Sequence, residues 1–186
     1  MVAAAPLLLN LLTLANAAST CPIVTRAEWG AKSPTSVQHI SSTLSHVIIH
    51  HSLSPGPCGG AGQPTCASAM KSMQNYHQKT NGWADIGYSF AVGGDGKIYE
   101  GRGWKVVGAH APGYNSKSVG ICLIGDWSKA LPSTAMLNAV KNLIACGVEA
   151  GHLKKDYVLL GHRQTKSTEC PGDRLYKEIS TWPHKG

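Results

Sequence analysis

Two histidines and a cysteine, far apart in the chain, carry the chemistry of a catalytic zinc site. His50 lies in the apolar run His46-Val-Ile-Ile-His50-His51, and His162 and Cys170 lie in Gly161-His-Arg-Gln-Thr-Lys-Ser-Thr-Glu-Cys-Pro-Gly172. Two imidazoles and one thiolate are good ligands for Zn²⁺, and a three-residue set leaves the fourth tetrahedral position open. A structural zinc site closes that position with a fourth residue, so the count points to catalysis. Cys170 follows His162 by eight residues, in a polar loop closed by Pro171-Gly172, so a strand end and its loop can bring two ligands onto one ion. The third ligand is less determined. In a strand, side chains alternate faces, so His50 shares a face with Ile48 while His51 joins Val47 and Ile49 on the other, and alternation alone does not choose between them.

These residues need a scaffold, and the hydrophobic pattern outlines one. Short apolar runs bounded by turn residues predict strands over His46–His51, Tyr88–Val92, Ile98–Glu100, Val119–Ile124 and Tyr157–Leu160. Apolar residues recur three and four apart in Ala67-Met70-Met73-Tyr76-His77 and in Met136-Leu137-Val140-Leu143-Ile144, which predicts two helices. A third candidate helix runs from Arg174 to Trp182 and stops at Pro183. Strands interleaved with helices predict a single α/β domain, with a central mixed β-sheet flanked by helices. The glycine-rich stretch Gly93-Gly-Asp-Gly96 superficially suggests a phosphate cradle. A dinucleotide fingerprint opens directly into a helix, whereas these glycines sit between two predicted strands, so we read a hairpin and no nucleotide.

Composition bounds the setting. Residues 1–17 carry no charge, contain the apolar stretch Leu7–Leu14 interrupted by Asn10 and Thr13, and end in Ala15-Asn16-Ala17, the pattern of a cleaved signal peptide. The stretch falls short of the ~20 apolar residues a membrane span needs. We therefore expect a secreted, extracellular chain with no membrane span, acting as a monomer, whose functional domain covers residues 21–186. The formal net charge of +7 belongs wholly to that domain. The basic residues are scattered, with no arginine-rich or aromatic-interleaved run, which argues against nucleic acid and for another polyanion, such as an anionic bacterial envelope.

Six cysteines in a secreted chain invite a disulfide count. Cys58 and Cys66 flank a turn-rich segment that a local bridge could hold. Cys21 has no local partner, and Cys146, in the second predicted helix, could staple that terminus to the body of the fold. With Cys170 given to metal, Cys122 is left over in an apolar run, where a free thiol behaves as a small buried hydrophobe.

The whole of residues 21–184 resembles the short, secreted animal peptidoglycan recognition proteins, which share the fold of the phage-type zinc amidases. The matching stretches are collinear: Ala27-Glu-Trp-Gly30, Val47-Ile-Ile-His-His-Ser52, Asp85-Ile-Gly-Tyr-Ser-Phe90, Gly93–Gly96, Tyr99-Glu-Gly-Arg-Gly-Trp104, Gly108-Ala-His110, Gly161-His-Arg-Gln164, Cys170-Pro-Gly172 and Trp182-Pro-His184. Members divide into zinc amidases and non-catalytic receptors, and the receptors usually replace a ligand, often the cysteine. The resemblance implies Zn²⁺ on His50, His162 and Cys170, with Tyr88 and Thr168 as catalytic residues. The implied reaction is hydrolysis of the amide joining N-acetylmuramic acid to L-alanine in bacterial peptidoglycan, in the service of innate immunity. Tyr88 would stabilise the oxyanion, and Tyr88 or Thr168 would help deliver a proton to the leaving amine.

The same resemblance implies a binding groove lined by His51, His77, His110 and Asn115. It also implies a preference for diaminopimelate-type stems carried by Gly82, Trp83 and Arg102, a guanidinium being able to hold the extra carboxylate in a bidentate pair. By themselves, His77 and Arg102 would be surface residues and His110 a turn residue. It further implies the pairings Cys58–Cys66 and Cys21–Cys146. The rival functions are a receptor that binds peptidoglycan without cleaving it and a directly bactericidal binding protein.

Overall fold

The computed structural model describes residues 21–186; the signal peptide expected at residues 1–17 lies outside the described residues. The chain runs β1 (Ile23–Val24), α1 (Arg26–Trp29), β2 (Leu44–His51), α2 (Cys66–Lys79), β3 (Phe90–Val92), β4 (Ile98–Glu100), β5 (Ser118–Leu123), α3 (Thr134–Glu149), β6 (Leu153–Gly161), a 3₁₀ turn (His162–Gln164) and α4 (Asp173–Ile179). The strands form one six-stranded sheet in the order β1-β4-β3-β5-β2-β6. Only β3 and β4 pair antiparallel, through the glycine hairpin read from the sequence; every other neighbour is parallel.

Parallel strands covered on both faces read as continuous apolar runs, and β2 and β5 do so. Their alternating residues serve two cores. Val47, Ile49, Val119, Ile121 and Leu123 pack with Met136, Val140, Leu143 and Ile144 of α3 and with Leu175 and Ile179 of α4. Cys122 packs on the other face with Ala91, Tyr99 and the α2 residues Ala69, Met70 and Met73. Helix starts are fixed by side-chain caps: the hydroxyls of Thr65 and Ser133 accept the N–H groups of Ser68 and Met136 at the heads of α2 and α3. Close approach of α3 to Trp104, in the loop after β4, depends on Gly147, where a Cβ would come within 2.3 Å of the Trp104 ring.

Several expected boundaries move. The Tyr88–Val92 strand begins at Phe90, because the carbonyls of Tyr88 and Ser89 accept from Arg102, Gly101 and Gly103 in the turn beyond β4. The last helix stops at Ile179 rather than Trp182, where the hydroxyls of Ser180 and Thr181 bond back to the carbonyls of Tyr176 and Glu178. Strand β1 and helix α1 are too short to show a period and escape the sequence reading. Disulfides join Cys21 to Cys146 and Cys58 to Cys66, and Cys122 and Cys170 are free thiols.

Candidate metal centre and groove

The two histidine ligands meet through sheet register. Strands β2 and β6 pair in parallel with Ile48 opposite Leu160 and Ile49 opposite Gly161, so His50 and His162 occupy the next position side by side. Their ring centroids are 4.4 Å apart. Cys170 arrives from the loop after β6, its Sγ 3.8 Å from His50 Nδ1. One ligand atom from each of His50, His162 and Cys170 lies within 4.8 Å of the others.

Arg163 holds that loop closed. Its backbone N–H donates to the Cys170 carbonyl at 2.9 Å, its guanidinium donates to the Glu169 carbonyl and to Asp173 Oδ1, and the same group stacks over Tyr176. The sequence reading gave Arg163 no role, since an arginine beside a ligand carries no signal until the loop is seen folded over it.

The cluster fits a soft divalent cation on more than composition. Nε2 of His162 is buried without any hydrogen-bond partner, an orphan that would be costly unless something binds there. Burial and the neighbouring histidines hold His50 well below the usual histidine range, and burial lowers His162 as well, with Lys166 contributing. Both are therefore neutral at pH 7, as metal ligation requires. Burial pushes the Cys170 thiol up to about 11, opposed by the His51 N–H and the Arg163 guanidinium. A thiol so raised needs a cation to become a thiolate at neutral pH.

Between α2 and the loop after β2 runs a cleft of about 520 Å³, lined by Ser52, Leu53, Ser54, Pro55, Ser72, Met73, Tyr76, His77 and Tyr88. Tyr88 links the cleft to the ligands: its ring lies 5.2 Å from that of His50 and 5.7 Å from that of His77. Burial, with the Cys122 and Cys170 thiols beside it, pushes the phenol well above its ordinary value, so Tyr88 keeps its proton and acts as a donor. Its hydroxyl shares a hydrogen bond with Cys122, which gives the leftover cysteine a place directly under the site. Thr168 Oγ1 accepts the Cys170 N–H at 3.3 Å.

The expected groove residues divide. His77 lines the cleft, with Nδ1 accepting the Gly87 N–H at 3.0 Å. Trp83 stands beside it, 4.8 Å between centroids, after Gly82 in a left-handed turn. Arg102 is near enough to depress His77, and it is partly committed, with Nε donating to the Ile86 carbonyl and Nη1 to the Val107 carbonyl. His51 and His110 lie outside the lining of that cleft. The His51 ring is buried on the far side of β2 from His50, where Nδ1 accepts the Trp127 N–H at 3.5 Å and lies 3.8 Å from Asp126. Strand alternation sends it there, and what reaches the ligand cluster is its backbone N–H, 3.4 Å from the Cys170 sulfur. His110 is only 6% exposed and lies behind His50. Asn115 braces that turn, its Oδ1 accepting the N–H groups of His110 and Ala111. Leu53, which belongs to no motif, stands 59% exposed in the cleft wall with φ of 57°. Non-glycine residues in that region are uncommon and concentrate at functional sites.

A mixed sheet with two histidines at one register and a cysteine on the adjoining loop defines the class. The chain is an enzyme of the N-acetylmuramoyl-L-alanine amidase family, in its peptidoglycan recognition protein branch, the family model matching residues 41–173. It is 54% identical over 171 residues to peptidoglycan-recognition protein LB of Drosophila melanogaster, an alignment covering 92% of this chain and 73% of that protein. The structure of wild-type Drosophila PGRP-LB superposes with a TM-score of 0.86 at 55% identity, covering 90% of this chain and 97% of that one. Peptidoglycan recognition protein-LE, solved in complex with tracheal cytotoxin (monomeric diaminopimelic acid-type peptidoglycan), gives a TM-score of 0.83 at 44% identity over 88% of this chain and 95% of that one. The cofactor of this chain is Zn²⁺.

Proposed function

We propose that this chain is a secreted, monomeric zinc amidase that binds bacterial peptidoglycan, with diaminopimelate-type stems preferred, and hydrolyses the amide between the muramoyl lactyl group and L-alanine. The observation that carries the reading is the convergence of His50, His162 and Cys170 beside a cleft that Tyr88 lines. These three residues would hold Zn²⁺, which would supply Lewis acidity, lowering the pKa of water to about 7 and polarising a carbonyl. The protein's own groups do the rest. Tyr88, kept protonated, would turn its one O–H from the Cys122 sulfur to the oxygen that gains charge as the carbonyl is attacked. Such a pre-aimed donor contributes about 2.7–4 kcal/mol in acyl transfer. Thr168, oriented by the Cys170 N–H, or Tyr88 itself passes a proton to the departing amine.

The cleft supports the substrate side of the reading. His77, Tyr76 and Leu53 form its walls, Trp83 extends the His77 wall, and the Arg102 guanidinium is near enough to depress His77. An arginine with three donors on the Ile86, Val107 and Asp85 carbonyls is pre-oriented, and its two remaining N–H groups suit the second carboxylate of diaminopimelate. The PGRP-LE complex with a diaminopimelic acid-type muropeptide favours the same stem chemistry.

Export rests on Met1–Ala17 as a signal peptide and on two disulfides, which form in oxidising compartments. No helix among the described residues is long and apolar enough to cross a membrane. With export into a compartment where bacteria are met, the role is in innate immunity. The deciding experiment is release of stem peptide from diaminopimelate-type peptidoglycan, with and without zinc, by the wild type and Cys170→Ser. We expect zinc-dependent release that the variant lacks. Tight binding without release by either protein would make the chain a receptor that has kept its ligands.

A further inference from the structure

The fold dictates which nitrogen of His50 can hold a metal. His50 presents Nδ1 toward the Cys170 sulfur, while its Nε2 lies 3.0 Å from Nδ1 of His110. On the other side of the His110 ring, Nε2 lies 3.5 Å from Ser118 Oγ, the longest link of the series, and the Ser118 hydroxyl donates to the Tyr114 carbonyl at 2.8 Å. A carbonyl can only accept, and a neutral imidazole has one donor and one acceptor. The polarity of every link follows. Ser118 spends its single proton on Tyr114, so its oxygen accepts from His110 Nε2–H. His110 Nδ1 is then a lone pair that accepts from His50 Nε2–H. His50 Nδ1 is left bare, facing the ligand cluster.

The His110 ring is also held sterically. A Cβ on Gly108 would come within 2.4 Å of its Cδ2, and one on Gly120 within 2.5 Å of its Cδ2 and Cγ. The ring thus occupies a slot that exists because both neighbours are glycine, and Asn115 pins the adjoining backbone with two hydrogen bonds of 2.8 Å. A histidine used only to touch a ligand in an open groove needs neither the slot nor a buried hydroxyl behind it, and Ser118 is 1% exposed.

We propose that His110 and Ser118 are positioning residues of the metal centre: they lock His50 in the Nε2–H tautomer and fix its ring so that Nδ1 is presented to Zn²⁺. The inference rests on the reading above that His50, His162 and Cys170 hold the ion. Groups behind a metal-bound histidine typically carry about 10–100-fold in metal affinity, through geometry and tautomer.

The test measures zinc affinity by chelator competition on the full chain. His110→Leu, which keeps the bulk and loses the acceptor, should weaken zinc binding about 10–100-fold. His110→Gln, whose carbonyl oxygen can accept from His50, should restore most of it, and Ser118→Ala, a small change in a buried place, should weaken it by a lesser factor in the same direction. A two-bond ¹H–¹⁵N spectrum of the zinc-loaded wild type should show His50 protonated on Nε2, with that assignment degraded in Ser118→Ala. Zinc-free thermal melts of each variant separate loss of folding from loss of affinity. A wild type that binds zinc while His110→Leu and Ser118→Ala bind it equally well, or a His50 protonated on Nδ1, overturns this inference alone. A wild type that takes up no zinc overturns the ligand assignment and this inference with it.

Discussion

The two faces of β2 and β5 are built from alternate residues of the same strands, and they do opposite work. Val47, Ile49, Val119, Ile121 and Leu123 form an aliphatic layer under α3 and α4. One residue over, His50 and Cys122, opposite each other in register, and Gly120 form a face that holds polar groups at close quarters. The first face stores stability and tolerates little loss of volume. The second gives up aliphatic packing to fix the orientation of a few atoms. The difference teaches that damage on the two faces should read out in different quantities, folding free energy on one and metal or turnover on the other.

The sharpest break should come from Cys170→Ser, which leaves both cores untouched: stem-peptide release should fall to background while the zinc-free melting temperature stays within a few degrees of wild type. Retained zinc-dependent release in that variant would remove the thiolate from the mechanism. Tyr88→Phe should be the next largest effect on the polar face, lowering kcat about 10²–10³-fold with zinc affinity unchanged. Equal turnover in wild type and Phe variant would take the hydroxyl out of catalysis.

On the aliphatic face, Ile121→Ala should cost about 2–5 kcal/mol in urea unfolding, as cavity-forming core substitutions do. Activity per folded molecule should not change. If it fell with stability, the two faces would be coupled and the comparison would fail.

Arg102→Ala tests the groove beyond the metal. Losing charge-assisted hydrogen bonds worth about 1.5–3 kcal/mol should weaken diaminopimelate-type stems about 10–100-fold and lysine-type stems much less. Equal losses would show that Arg102 only braces the turn through the Ile86 and Val107 carbonyls.

The smallest effect concerns His77, held down to about 4 by burial and by the nearby Arg102 guanidinium. An unfolded chain takes up this proton near pH 6.5 and the folded one only near 4. The contribution of neutral His77 to stability is therefore whole above about 6.5 and drains away as pH falls toward 4. His77→Gln, able to accept the Gly87 N–H through its amide oxygen, should flatten the pH dependence of the urea midpoint across that window. An unchanged slope would place the acid sensitivity elsewhere.

Much of this was legible in the chain because the relevant signals are local. Apolar runs mark β2, β5 and β6, helical spacing marks α2 and α3, and Gly93-Gly-Asp-Gly96 marks the β3–β4 hairpin. Residue chemistry alone nominates His162, Cys170 and one of the pair His50 and His51. Other features had no local signal. Ser118 is an ordinary strand residue until its hydroxyl is found behind His110, Leu53 is an ordinary loop residue until it stands in the cleft at a positive φ, and Arg163 is one more surface charge until the Cys170 loop folds across it.

The sequence by itself determined the kinds of ligand, the strands and helices that carry them and the number of thiols left over, since side-chain chemistry and periodicity are properties of neighbours along the chain. Beyond what the family resemblance implies, the tertiary structure decided by geometry that His50 rather than His51 faces the ligands, that His110 sits against His50, and which nitrogen of His50 is bare. Alternation creates two faces without saying which is which. That choice is made when α3 and α4 cover one face, when β6 pairs with Ile48 opposite Leu160 and so brings His162 beside His50, and when the Tyr114 carbonyl, in the turn leading into β5, sets the direction of every proton in the chain behind it.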